Sequence, residues 1–205
     1  MDGDTLLTLS DRRSLPRVPV VAERVNVQEV LNRAAEQLTS FFGEGGIVTP
    51  IRILYPLWIC TAEVRLPRAV ERVVGYVDAA YPEQRGPRGT IAVVADVLPN
   101  KPEIVYQRVE QEELVPSLLP RSIAEQLFRE MILWRSRVRI EDLKVVEMLQ
   151  VFWPYYIAEF AHPRMRIVLA IDGYEGAFSP HIARLVAEGP LLYVNAELWR
   201  QRCRS

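Results

Sequence analysis

Apolar residues recur at helical spacing in two separate stretches of the chain. One stretch follows Asn26 and the other follows Ser122. Apolar positions three or four residues apart line one side of a helix. Asn26 with Glu29, and Ser122 with Glu125, have the spacing of a capping box, which marks a helix start. The pattern therefore predicts two amphipathic helices, one beginning near each of these polar residues.

Each predicted helix is followed by a long stretch rich in β-branched and aromatic residues, at 51–66 and at about 145–161. A proline-containing turn comes next, and then a second apolar run, at 70–80 and at about 164–172. Two such runs around a short turn are typical of an antiparallel hairpin. A further, mostly buried strand is predicted over 90–97.

Shorter signals fill the remaining chain. A short strand is predicted at 103–108. Ser179 followed by Pro180 is typical of a helix start, with the serine as cap and the proline at the first helical position. Asn195 has the same capping chemistry and predicts a short C-terminal helix through Trp199.

The two stretches resemble each other in order and spacing. Pro154 follows Pro56 by 98 positions, and Asp172 follows Asp78 by 94 positions. Internal repetition of this kind constrains the architecture before any local signal does. A lone two-stranded hairpin is only marginally stable, so the two units should share a sheet or pack closely. The sequence predicts an α+β fold of two fused helix–strand–strand repeats, with an antiparallel sheet and pseudo-twofold symmetry.

These signals divide the chain into four regions. The segments without periodicity are rich in proline, and the second of them also carries glutamates. The predicted regions are an extended N-terminal arm over 1–25, a first α+β repeat over 26–98, a proline- and glutamate-rich linker over 99–120, and a second α+β repeat with C-terminal helices over 121–205.

Composition narrows the function only slightly. The 205 residues are 49% hydrophobic and 25% charged with a net charge of −1, which is ordinary for a globular protein. Near-neutral charge gives no electrostatic footprint for nucleic acid across the whole chain. Two cysteines make no disulfide framework. The acidic start lacks signal-peptide features, and no apolar run is long enough to span a bilayer, so a cytoplasmic location is expected.

Two proline-aromatic motifs are the leading candidates for a binding surface. Large aromatic side chains beside a rigid proline are typical of interface hot spots. The alternative is that the aromatic rings pack beneath the helices and that each proline blunts a sheet edge. The candidate partner-binding residues are Tyr55, Pro56, Trp58, Trp153, Pro154, Tyr155 and Tyr156.

Four carboxylates on the predicted strands give an alternative reading. Asp78 and Asp172 end apolar runs, while Glu63 and Glu159 lie nearer the hairpin turns. Carboxylate oxygens suit magnesium, calcium or manganese, or acid–base catalysis. Aspartate also ends strands simply by hydrogen bonding to the local backbone. A metal site at the junction of the repeats is therefore an alternative hypothesis.

A short basic segment offers a third possibility. Arg135, Arg137 and Arg139 alternate with other residues, so an extended backbone would place their guanidinium groups on one face. Such a face suits an anion, an acidic partner or nucleic acid. The acidic run at 110–113 has nearly the same alternation and is a candidate partner for it, while ordinary solvation of the charges is the alternative.

No catalytic motif stands out. The sequence has no glycine-rich phosphate loop, no nucleophile elbow and no zinc-ligand spacing around its two histidines. The leading hypothesis is therefore a non-enzymatic interaction or assembly module without a cofactor, which binds a protein partner or itself through the proline-aromatic strands. The alternatives are a metal-dependent enzyme using the four carboxylates and a nucleic-acid accessory protein using the arginine segment.

Overall fold

The computed structural model describes residues 15–81, 83–85, 91–93, 95–191 and 194. The α-helices in this part are α1 (Val27–Phe42), α2 (Arg121–Ser136) and α3 (Pro180–Ala187). The strands are β1 (Arg17–Val21), β2 (Gly46–Ile47), β3 (Ile51–Leu66), β4 (Ala69–Asp78), β5 (Glu83–Arg85), β6 (Ile91–Val93), β7 (Ala95–Leu98), β8 (Ile104–Arg108), β9 (Leu143–His162) and β10 (Met165–Asp172). Short 3-10 helices lie at Gln111–Glu113 and Ile140–Asp142.

One large sheet organises the described part of the chain. Its strand order is β7-β4-β3-β9-β1-β8, and β2 and β10 also pair with β9. The two long strands β3 and β9 run antiparallel through its centre, from the Ile51–Ile157 pair to the Val64–Leu143 pair. A separate small sheet pairs β5 with β6. The α+β class predicted from the sequence is confirmed, with a mixed sheet because β1 meets β9 in parallel.

Both predicted hairpins form. Strand β4 returns along β3 from the Leu66–Ala69 pair, and β10 returns along β9 from the His162–Met165 pair. Turn-forming residues between two runs of strand-forming residues specify this geometry locally. The predicted strand at 90–97 is instead divided between β6 and β7, and β7 lies at the sheet edge with a largely half-exposed surface.

Alternation along the central strands divides the core into two layers. In the middle of β3 and β9, odd-numbered residues such as Tyr55 and Trp153 pack with α3. Even-numbered residues face the other way, where Cys60 packs with α2 and Ala158 packs with α1. Successive strand side chains point to opposite faces, so each long apolar run buries both sides of the sheet. Helices α1 and α2 therefore lie on one face and α3 on the other.

The helix starts agree with the sequence in two of three cases. Asn26 is the N-cap residue of α1, although its side-chain amide donates to Glu29 Oε1 at 3.0 Å rather than capping the backbone. The prediction that Ser122 caps α2 is wrong, because α2 begins at Arg121 after an extended Pro120. The predicted cap of α3 is confirmed by Ser179 Oγ, which accepts a hydrogen bond from Ile182 N at 3.4 Å.

The predicted arm and linker both contribute to the sheet. From residue 17 to 21 the N-terminal segment is β1, which lies between β8 and β9 with Val20 and Val21 fully buried. The segment over 99–120 contains the predicted short strand as β8 and also a parallel bridge from Leu114 to Leu54. The predicted helix at 195–199 lies outside the described residues.

Both strand prolines sit where a neighbouring strand ends. The Pro56 carbonyl accepts from Ala79 N at 3.1 Å, and the Pro154 carbonyl accepts from Gly173 N at 2.9 Å. The N–H and C=O of one strand residue point to the same side, so each proline nitrogen also faces the end of its hairpin partner. The missing N–H therefore interrupts no ladder, although both prolines lie on central strands and not at a sheet edge.

None of the helices in the described residues is long and apolar enough to cross a membrane.

Candidate functional site

The two proline-aromatic motifs lie side by side at the centre of the sheet. The register places Tyr55 opposite Trp153, Pro56 opposite Phe152, and Leu54 opposite Pro154. Tyr55 and Trp153 are only 1% and 3% exposed, and both prolines are buried as well. The remaining aromatic residues of the two motifs are half-buried, namely Trp58, Tyr155 and Tyr156. These three are more accessible to solvent than the other residues of the two motifs.

Asp78 is a fully buried carboxylate at the end of the first hairpin. Its Oδ2 accepts from the Tyr55 hydroxyl at 2.8 Å and faces His181 Nε2 at 3.2 Å. Its Oδ1 accepts from the backbone N–H groups of Ala80 at 2.8 Å and Tyr81 at 2.7 Å. Buried carboxylates are stable only when well bonded, and these contacts meet that requirement.

Asp172 has a closely similar environment at the end of the second hairpin. Its Oδ2 accepts from Trp153 Nε1 at 2.9 Å. Its Oδ1 accepts from the backbone N–H groups of Tyr174 at 2.7 Å and Glu175 at 3.0 Å. The carboxylate is 9% exposed. Both aspartates therefore end their strands through local backbone hydrogen bonds and also anchor the aromatic residue one position before the proline.

A small pocket opens between the two hairpin ends, on the face of the sheet that carries α3. It has a volume of about 100 Å³. We call it the aromatic pocket, and the residues that line it are Leu57, Tyr76, Leu98, Trp153, Tyr155, Asp172 and Glu175. Burial raises the pKa of Tyr155 well above its usual range, and Asp172 raises it further. Burial also raises the pKa of Tyr76, and the negative charge of Asp96 raises it further.

The four carboxylates of the metal hypothesis are held apart. Glu159 is fully buried and pairs with Arg166, while Glu63 lines a surface pocket together with Arg65 and Lys144. Within the described residues, no three histidine, cysteine, aspartate or glutamate side chains come together as metal ligands would. Asp78 and Asp172 are instead each bonded within their own hairpin end.

The arginine segment does not form one extended face. Arg135 lies in the last turn of α2 and pairs with Asp96 at 2.7 Å. Arg137 follows the helix in the left-handed region at φ 53°, and Arg139 pairs with Glu141 at 3.4 Å. The backbone around these arginines is a helix end and a 3-10 turn, and not the extended strand that the sequence predicted. The three guanidinium groups are therefore not aligned on one face.

The acidic run proposed as the partner of these arginines is placed elsewhere. Glu113 pairs with Arg52 at 2.9 Å, and Arg52 also contacts Glu23 at 2.8 Å. These contacts tie the 3-10 helix after β8 to the central strand β3, so Glu113 of the acidic run pairs with Arg52 of β3.

A second surface, which the sequence did not single out, lies on the opposite face of the sheet. We call it the α1–β10 groove; it has a volume of about 180 Å³, and the residues that line it are Ala34, Gln37, Leu38, Phe41, Leu169 and Phe178. Phe41 is 82% exposed and Phe178 is 49% exposed. Apolar side chains at such exposure are informative when they are contiguous. The breadth of the apolar stripe on α1 was the sequence signal for this groove.

Tyr76, Glu175 and His181 also escaped the sequence interpretation as site residues. Glu175 lies three residues after Asp172, and the turn-forming residues after the strand could have indicated that it lies beside Asp172. Tyr76 and His181 reach the site from β4 and α3, and only the register and the packing bring them there. Comparison of the chain with protein-family models, with curated proteins and with solved structures found no match.

Proposed function

We propose that this protein is a non-enzymatic interaction module that binds an extended segment of a partner protein at the α1–β10 groove. The observation that carries the proposal is an apolar groove directly beside a strand edge that no described strand occupies. Partner segments commonly bind in this way, with main-chain hydrogen bonds for affinity and side-chain pockets for specificity.

The free edge belongs to β10. One side of β10 pairs with β9 along its whole length. On the other side, the chain itself binds only near the end of the strand, where Asp172 N donates to Ala177 O and Ser179 N donates to Ala170 O, both at 2.8 to 2.9 Å. Among the described residues, no strand continues this pairing along Met165–Leu169. The short internal pairing supports the proposal that this edge accepts an added strand.

The groove supplies the side-chain pocket for such a strand. Leu169 on β10 and Phe41 on α1 form opposite walls, and Gln37 is the one polar residue among the lining side chains. Alternate residues of an added strand point to the same face. A partner strand on β10 would therefore direct every second side chain toward α1, and those side chains should be apolar.

We further propose that the two halves of the fold derive from one helix–strand–strand unit. The order α1, β3, β4 recurs as α2, β9, β10. Leu54 and Phe152, which are 98 positions apart, each receive a parallel bridge, from Leu114 and Val20. The hydrogen bonds around Asp78 and Asp172 support the same relation. A pseudo-twofold axis between Pro56 and Pro154 would relate the two units.

The binding proposal is tested by selecting peptides from a random display library, about six residues long as strands usually are. Selected peptides should alternate apolar and polar residues and should protect the backbone amides of Met165–Leu169 from hydrogen exchange. Phe41→Ser should weaken their binding about tenfold, as loss of an interface aromatic commonly does. Trp134→Ser is the matched control, because Trp134 is 84% exposed on α2, away from the groove.

Two outcomes would overturn this assignment. One is that no peptide is enriched, or that enriched peptides bind the Phe41→Ser protein as tightly as the unmodified protein. The other is a light-scattering mass of twice the 23.5 kDa chain that falls to one chain on Phe41→Ser. That second result would give the groove to another copy of this chain instead of a partner protein.

A further inference from the structure

The aromatic pocket combines ring faces with acidic groups. Tyr76, Trp153 and Tyr155 contribute its aromatic surface. The Tyr155 ring is held edge-on to Tyr55, with centroids 6.1 Å apart and planes at 86°. Trp153 is held by its hydrogen bond to Asp172. The aromatic surface is therefore fixed by core packing before any ligand arrives, which lowers the entropy cost of binding.

Two tyrosines, Tyr76 and Tyr155, line this pocket. Within the described residues, neither the Tyr76 nor the Tyr155 hydroxyl forms a hydrogen bond with another protein atom. Both side chains are half-buried, and tyrosine hydroxyls in such positions usually have a partner. A bound polar group would supply that partner at the site itself.

The charges around the pocket are predominantly negative. The charged groups that raise the pKa of Tyr155 are Asp172, Asp78 and Glu175, and all three are acids. Asp96 adds to these around Tyr76, but it pairs with Arg135 at 2.7 Å, and Asp78 faces His181 at 3.2 Å. Across the part of the chain that is described, Asp172 and Glu175 form no ion pair. Among the described residues, no cation therefore pairs with the negative charge that Asp172 and Glu175 bring to the pocket.

We propose that the aromatic pocket binds the ammonium or guanidinium group of a ligand, with the charged end between the rings and Asp172 and Glu175. A cation over aromatic faces gains most when the site is partly removed from water. Opposite charge close by offsets the cost of desolvating that cation. The pocket volume of about 100 Å³ matches the charged end of one alkylamine or one arginine-like side chain.

The same turn already holds a guanidinium group on its outer side. The Arg24 guanidinium lies 4.6 Å from the centre of the Tyr174 ring. The backbone N–H of Arg24 donates a hydrogen bond to Gly173 O at 3.1 Å. Tyr174 also packs edge-on against Trp153, with centroids 5.3 Å apart. This internal contact shows that the turn geometry accommodates a stacked cation beside acidic residues.

The pocket is independent of the proposed partner site. It lies on the odd-numbered face of β3 and β9 with α3, whereas the α1–β10 groove lies on the even-numbered face. Failure of one proposal therefore leaves the other intact, and substitutions in one site are controls for the other.

The test is an NMR titration that follows the indole N–H signal of Trp153. The probes are n-butylammonium, N-acetyl-lysine methylamide and N-acetyl-arginine methylamide, and the neutral control is N-acetyl-norleucine methylamide. The cationic probes should shift the signal saturably, and norleucine should not. Binding of the capped residues without butylammonium would indicate a partner side chain as the natural ligand, and the reverse would indicate a small amine; both results support the pocket.

Glu175→Gln removes one charge at the exposed rim and should weaken cation binding about three- to tenfold, in line with one favourable cation contact. Glu71→Gln is the matched control, because Glu71 is also exposed but lies near the turn of the first hairpin. The proposal is overturned if no cationic probe shifts the signal, if norleucine binds as well as lysine, or if the two variants bind alike.

Discussion

The ends of the two hairpins use the same chemistry for different results. Asp78 and Asp172 each bind two backbone N–H groups with one oxygen and an aromatic donor with the other. Asp78 is sealed at 0% exposure because α3 brings His181 against it. Asp172 is 9% exposed and lines the aromatic pocket. The same aspartate motif is therefore fully enclosed at the end of the first hairpin and lines a candidate binding pocket at the end of the second.

The largest expected effect is a difference in stability loss between substitutions of the two aspartates. Asp78→Ala should lower the free energy of unfolding by about 4 kcal/mol, because it leaves a buried tyrosine hydroxyl and two backbone donors unpaired. Asp172→Ala should cost about 2 kcal/mol, since water can reach part of the exposed corner. Urea denaturation with linear extrapolation measures both values. Equal losses for the two variants would contradict the contrast between a closed and an open corner.

The next effect concerns the aromatic donors. Trp153→Phe should lower the free energy of unfolding by about 2 kcal/mol, because it removes both ring volume and the indole donor. Tyr55→Phe removes only a hydroxyl, and Asp78 keeps three other contacts, so about 1 kcal/mol is expected. Thermal unfolding checks the order of the two variants. If the Tyr55→Phe protein were less stable than the Trp153→Phe protein, the Tyr55 hydroxyl would stabilise the fold by more than one ordinary hydrogen bond.

The smallest effect is the contribution of Cys60, on the first hairpin, to the pH dependence of stability. Cys60 is fully buried against α2, and burial raises the pKa of its thiol from 9.0 to about 12. The thiol of the unfolded chain ionises first, so this contribution to stability is complete below about pH 9 and falls as pH rises toward 12. We expect a loss of about 1 kcal/mol by about pH 10.

The matched variant for this measurement is Cys60→Ala, because the position 98 residues later is Ala158, a fully buried small residue on the same face. Both proteins should carry Cys203→Ser so that only one thiol is followed. The alkaline loss of stability should be smaller in Cys60→Ala. Identical pH profiles would show that Cys60 does not contribute to it, and rapid thiol labelling of the folded protein at pH 8 would contradict its burial.

The hairpins were readable from the sequence because their signals are local. The run from Ile51 to Leu66 and the turn after it specify β3 and its return strand without information from elsewhere in the chain. The α2 start was misplaced by two residues, because Pro120 takes the cap position in an extended conformation and outweighs the serine signal at Ser122. β1 escaped prediction because its pairing with β8 and β9 is long-range.

The candidate site was only partly readable. The sequence singled out Asp172, Trp153 and Tyr155 from their repeated spacing, and the structure places all three at one pocket. It could not reveal that Tyr76 completes that pocket, because Tyr76 belongs to the other hairpin. The pairing of Arg135 with Asp96 was likewise hidden, since it depends on how α2 lies over the sheet.

The sequence by itself determined the main helices, the long strands, and the aspartate that ends each hairpin, because backbone propensity and local hydrogen bonding act within a few residues. Only the tertiary structure decided which hairpin end closes and which stays open. His181 and Asp78 are 103 positions apart, so their contact exists only once α3 has packed on the sheet. Burial and pocket shape depend on such long-range packing, so the same local motif is fully enclosed in one half and lines a pocket in the other.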